Sequence, residues 1–120
     1  MQIFEVEFFR KNDGTCPVIT FLDSLEKKMK AKVLRMIMLL EKNGNELREP
    51  YSKALGEGIF ELRVKQGSDI SRVLYFFVVG HKIIITNGFI KKTQRTPQAE
   101  IELAKKYKVE YMKRRENSHE

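Results

Sequence analysis

Cysteine is the scarcest reactive residue in this 120-residue chain. Cys16 stands alone, so no disulfide forms within it, and a single thiol in a small domain points to a reducing compartment. Histidine is nearly as scarce, with His81 and His119 only. A structural zinc takes about four Cys or His ligands, and three, spread over a helix entry, a turn and the chain end, argue against one. Long apolar runs are missing as well. The longest, 73–80 and 83–85, have strand length, well short of the roughly 18 residues of a membrane span. The first residues lack the basic stretch and apolar block of a signal peptide, so the expectation is a cytoplasmic chain without membrane contact. No Gly-x-Gly-x-x-Gly or Gly-Lys-Ser/Thr loop occurs, which leaves a nucleotide cofactor without support; no cofactor is expected. Repeats, low-complexity segments and interdomain linkers are absent, and the length suits one domain over 1–120.

Acidic residues are absent from one quarter of the chain. Lys and Arg number 23 against 16 Asp and Glu, a net charge of +7. Between 70 and 99 there is no Asp or Glu, while Arg72, Lys82, Lys91, Lys92 and Arg95 all fall there. Clustered cations suit a polyanion such as nucleic acid, or an acidic protein; a solvated, solubilising face is the plain alternative.

The periodicities divide the chain clearly. Phe4, Val6 and Phe8 alternate with Glu5 and Glu7, a half-buried opening strand. Asn12, Asp13 and Gly14 mark a turn, and Pro17 suits a first helical position. Phe21, Leu22, Leu25, Met29, Val33, Met36, Ile37 and Leu40 then recur at three- and four-residue steps. They predict a helix pair broken near Lys27 and Lys28 and closed by Asn43 and Gly44. Met29, Met36 and Met38 read as core fillers. A short irregular link through Lys53 leads to three strand-like runs, 59–65, 71–79 and 82–90, joined by hairpin turns. Thr96 and Pro97 open a last helix, expected to fray into a mobile tail over 113–120. The expected fold is α+β: an N-terminal strand plus a three-strand meander, flanked by a helix pair and a C-terminal helix.

Phe60, Leu62 and Val64 share one face of the first meander strand, with Glu61, Arg63 and Lys65 on the other. Arg72 falls beside Glu61 and Arg63 across the hairpin, and Phe89, Lys91 and Lys92 leave the end of the third run. The meander's second face is therefore expected to be exposed, with phosphate-binding cations next to an aromatic ring on which a base could lie. A surface ion pair of Glu61 with Arg63 or Arg72, worth about 0–1 kcal/mol, is the alternative.

These residues carry a resemblance. Glu49-Pro50-Tyr51-Ser52-Lys53-Ala54-Leu55 with Gly58-Ile59-Phe60-Glu61-Leu62-Arg63, then Arg72-Val73-Leu74-Tyr75-Phe76, then Gly88-Phe89-Ile90-Lys91-Lys92-Thr93-Gln94-Arg95-Thr96-Pro97, resemble the RelE/HigB-type toxins of bacterial toxin–antitoxin systems, in their phage-derived branch. The resemblance covers nearly the whole chain. It implies a RelE-like fold and a metal-independent endoribonuclease that cuts mRNA in the ribosomal A site. The partners it implies are the ribosome, mRNA and a HigA-like helix-turn-helix antitoxin through which the complex binds operator DNA. By the same resemblance Arg63 and Arg72 would hold the scissile phosphate, and Lys91 or Lys92 would add charge or donate a proton. Lys53, Phe89 and Arg95 would contact RNA. Glu61 is one candidate for the general base; a lysine crowded by Arg63 and Arg72 is the other. ParE-type toxins, which bind DNA gyrase without catalysis, and a basic protein-binding module remain the alternatives.

Overall fold

The computed structural model describes residues 3–90 and 96–118. Its elements are β1 (Glu5–Phe8), α1 (Pro17–Asp23), α2 (Lys27–Asn43), a 3-10 turn at Gly44–Glu46, β2 (Ser52–Gly56), β3 (Ile59–Gln66), β4 (Asp69–Val78), β5 (Lys82–Ile90) and α3 (Gln98–Ser118). The sheet has five strands in the order β1-β5-β4-β3-β2. Strands β2 to β5 form an antiparallel meander, and β1 joins β5 in parallel. The chain thus starts at one edge, crosses a face through α1 and α2, and returns strand by strand.

Both faces of the sheet are covered. On one side Val18, Leu22, Met29, Val33, Ile37 and Leu40 of α1 and α2 pack on Leu62, Val64, Val73, Tyr75, Ile83 and Ile85. On the other side Ala104 and Tyr107 of α3 pack on Phe9, Ile59, Leu74, Phe76, Val78 and Ile84. Each fully buried aliphatic or aromatic side chain contributes roughly 1.5–3 kcal/mol. The spacing of Met29, Val33, Ile37 and Leu40 is what gives α2 one apolar stripe. Gly88 lets α1 approach β5 closely: a Cβ there would lie 2.5 Å from the Phe21 ring.

Three expectations from the sequence change. The link through Lys53 is the edge strand β2, paired with β3 from Ser52↔Leu62 to Gly56↔Ile59. With Lys53, Ala54 and Gly56 exposed, it lacks the alternation that marks a half-buried strand. Met38 is 68% exposed and fills no core, while Met29 is buried and Met36 packs beside it. The segment from Lys113, expected as a tail, continues α3 to Ser118. Arg114 Nη1 donates to the Arg10 carbonyl at 2.7 Å and Arg115 Nη2 to the Val79 carbonyl at 3.0 Å, tying these last turns to the sheet.

A bulge in β5 sets what faces α3. Ile85 pairs with Tyr75 and Asn87 with Leu74, leaving Thr86 as the extra residue. Its hydroxyl donates to the Leu74 carbonyl at 3.2 Å. Strict alternation from Ile84 would turn Phe89 toward α1. The inserted residue reverses the phase, so Asn87 and Phe89 join Leu74 and Arg72 on the α3 side.

Candidate functional site

Two rows of side chains cross the sheet near the start of α3. Arg63, Arg72 and Phe89 are successive cross-strand partners, and so are Lys53, Glu61, Leu74 and Asn87. All are on the face that α3 covers, because β3 and β4 alternate with period two and the bulge brings β5 into phase. Asn87 Nδ2 donates to the Glu100 carboxylate at 3.0 Å and to the Glu100 carbonyl at 3.3 Å, pinning the first turn of α3 against this corner.

Glu61 is the centre of the cluster. Its Oε1 accepts from Arg72 Nη1 at 3.3 Å and from the Thr96 hydroxyl. Arg72 Nη1 also donates to Thr96 Oγ1 at 3.1 Å. Glu61 Oε2 lies 3.7 Å from Arg63 Nε. Arg72 is 0% exposed and Glu61 2%, whereas the Arg63 side chain keeps 30%.

This corrects the expectation of an exposed cation face. Thr96 and the start of α3 lie over Glu61 and Arg72, which are buried as a hydrogen-bonded ion pair. Burying an ion pair is tolerated when geometry and extra hydrogen bonds offset desolvation, and the Thr96 hydroxyl supplies such a bond. Arg63 remains reachable from solvent, Lys53 is exposed on the edge strand, and Phe89 is half-buried against the α3 cluster. Lys91, Lys92 and Arg95 lie outside the described residues. The chain leaves this corner at Ile90, partner of Ser71, and returns to it at Thr96.

Thr96 was not among the residues expected at the site, nor was Asn87. The pattern Thr96-Pro97 reads as a helix opening, and only the fold brings its hydroxyl against a carboxylate 35 positions earlier. Chemically, the arrangement offers one accessible guanidinium held in place by a buried carboxylate, with a lysine and an aromatic ring on the same face. A planar guanidinium fork suits two phosphate oxygens. Among the described residues no group of three or more His, Cys, Asp or Glu side chains is placed to hold a metal. No helix of the described residues is long and apolar enough to cross a membrane.

Comparison with known proteins places the chain. Residues 20–108 match the family described as "Phage derived protein Gp49-like (DUF891)". Among solved structures, the archaeal RelE–RelB complex from Pyrococcus horikoshii OT3 contains a chain matched over its full length by 78% of this one, at 18% identity and a TM-score of 0.51. That likeness establishes a RelE-like fold. No curated protein sequence matches.

Proposed function

The chain belongs to the phage-derived Gp49-like family, a family of RelE/HigB-type toxins, and on that premise we propose that it is a ribosome-dependent mRNA endonuclease, the toxin of a toxin–antitoxin pair. The observation that carries the reading is Arg63: a solvent-reachable guanidinium paired with the buried Glu61 carboxylate at 3.7 Å, in register with Arg72 and Phe89. In the proposed reaction a ribose 2′-hydroxyl loses its proton and attacks the adjacent phosphorus. The bond to the 5′-oxygen breaks and that oxygen takes up a proton, leaving a cyclic phosphate and a 5′-hydroxyl. Arg63 stabilises the charge that develops on the phosphorane; loss of one such donor costs on the order of 10²–10³ in rate.

The burial of Glu61 and Arg72 divides the other roles. Glu61, already bonded to Arg72 and Thr96, acts as the holder of Arg63, and Arg72 as the holder of Glu61. Both are positioning residues in this reading. Proton transfer falls to Lys91 and Lys92 of the adjoining segment, while Lys53, on the Glu61 row, positions a phosphate. Phe89 and Arg95 contact the RNA. The partner is a helix-turn-helix antitoxin that also carries the complex to operator DNA, and the toxin acts in the cytoplasm, where ribosomes align the message. The RelE-like fold, shared with the RelE chain of an archaeal RelE–RelB complex, supports an antitoxin partner.

The test is primer extension on a defined mRNA in a purified translation system, with wild type and Arg63→Ala, with and without ribosomes. New ends within codons, with ribosomes and wild type only, are the expected result. An uncut message with intact wild-type protein would overturn the endonuclease reading and favour a protein target such as gyrase.

A further inference from the structure

The outer face of α2 carries charge that the described residues do not compensate. The helix has six cations and one acid, Glu41. Glu41 Oε2 accepts from the Val6 N–H at 2.7 Å, Lys30 pairs with Asp23 at 3.3 Å, and Lys32 donates to the Lys65 carbonyl. Lys27, Lys28, Arg35 and Lys42 are exposed, and none of them forms an ion pair among the described residues. Lys27 and Lys28 open the helix, where the positive end of its dipole and the lack of any acid in the first turn disfavour them. Apolar side chains share this face. Opposite the buried stripe of Met29, Val33, Ile37 and Leu40 stand Ala31, Leu34 and Met38, with Leu34 39% and Met38 68% exposed.

Spacing turns this face into a pattern. Ala31, Leu34 and Met38 recur at three- and four-residue steps, the a/d spacing of a helix that packs along another helix. Lys28, Arg35 and Lys42 recur every seven residues, about 10.5 Å apart along the axis, on one flank of the apolar row. In heptad terms they hold the flanking e position, where charge selects the partner and its register. Single exposed apolar residues are ordinary on a surface; an apolar row with cations in step beside it is a seam. Its chemistry selects the occupant. Nucleic acid would meet the cations and leave Leu34 and Met38 against sugar and phosphate. A second copy would set cations against cations. We infer that α2 docks an amphipathic helix of the antitoxin, with apolar side chains over Leu34 and Met38 and Asp or Glu at seven-residue spacing against Lys28, Arg35 and Lys42. The inference rests on an antitoxin being the partner and names the surface it takes. Because α2 packs on the sheet face opposite α3, docking there leaves the Arg63 cluster uncovered.

The experiment has two arms. In the first, protein with ¹³C-labelled methionine methyls is titrated with a synthetic three-heptad helical peptide carrying Leu at a and d and Glu at both flanking positions. The Met38 methyl is expected to shift while those of buried Met29 and of Met112 on α3 stay, and a scrambled peptide of the same composition leaves Met38 in place. Arg35→Glu weakens binding about ten-fold by fluorescence anisotropy, and a peptide with Lys in place of Glu binds Arg35→Glu better than it binds wild type, as charge pairing requires. A thermal melt confirms that the exposed Arg35 substitution leaves the fold intact.

In the second arm, cells make the protein together with the antitoxin that restores their growth. Arg35→Glu combined with Met38→Glu is expected to keep the growth arrest, to escape that antitoxin and to lose co-purification with it at equal soluble level. If wild type arrests growth and the double variant is still neutralised, or the peptide leaves Met38 unshifted, the docking face is overturned while the toxin stands. If wild type never arrests growth but the peptide shifts Met38 and follows the charge swap, the face stands and the toxin reading falls. A 2′-O-methylated single-stranded RNA nonamer that shifts Met38 by itself and displaces the peptide would overturn the proposal in favour of a nucleic-acid occupant.

Discussion

Arg63 and Arg72 are directly opposed across β3 and β4, and Glu61 binds both. Like charges facing each other across a sheet are destabilising on their own. Here one carboxylate serves two guanidiniums of different exposure: Arg72 is sealed inside, and Arg63 stays reachable from solvent.

The two arginines should therefore separate in a stability measurement. Arg72→Ala strands the Glu61 carboxylate in the interior, and Glu61→Ala strands Arg72. Breaking a buried pair from either side costs about 3–5 kcal/mol. Arg63→Ala removes a partly exposed partner and costs about 0–1 kcal/mol. Urea denaturation of the three variants reads the difference directly; equal losses for Arg63→Ala and Arg72→Ala would contradict the burial asymmetry.

In cells, wild-type protein made without an antitoxin is expected to arrest growth, with co-expression of the antitoxin restoring it. Arg63→Ala, whose fold is preserved, is expected to lose the arrest at equal soluble protein level. Arrest by Arg63→Ala at the wild-type level would remove Arg63 from the site.

Phosphate contact has a salt signature. On single-stranded RNA each contact contributes about 0.7 to the slope of log affinity against log salt. Arg63→Ala and Lys53→Ala are each expected to reduce that slope by about this amount, measured by anisotropy on an uncleavable oligonucleotide. Unchanged slopes would show that neither side chain meets a phosphate.

Tyr75 gives a pH prediction of definite sign. Burial pushes its phenol above the ordinary value, while its hydrogen bond with Ser52 pulls part of the way back. In the unfolded chain this phenol ionises first, near its ordinary value of 10.0. The stability tied to the neutral form is thus complete below that pH and is lost as pH rises from there through the folded value. Urea midpoints should fall on raising the pH above about 10, and Tyr75→Phe should flatten the fall. Burial likewise raises Tyr107 and Tyr111, so some of the slope remains in the variant. An identical slope in wild type and Tyr75→Phe would exclude Tyr75 as a source.

Much of this molecule is written in local pattern. The alternation of Phe60, Leu62 and Val64 against Glu61 and Arg63 places both charged residues on one face of β3. The three- and four-residue spacing from Met29 to Leu40 determines α2 and its buried stripe. The turn at Gly67 makes Arg72 meet Arg63 across the β3–β4 hairpin. These features rest on side-chain direction and backbone freedom, which a residue and its near neighbours decide. Tertiary structure alone decided the rest. An exposed edge strand such as β2 carries no alternation, because Ser52 is its one buried residue, Leu55 is half-buried and the other three face solvent. Whether the Glu61 face meets water depended on Thr96 and α3, distant in sequence, folding over it. One inserted residue, Thr86, decided which side Phe89 faces: a bulge shifts the phase of a strand by one, and its place depends on the partner's hydrogen bonds.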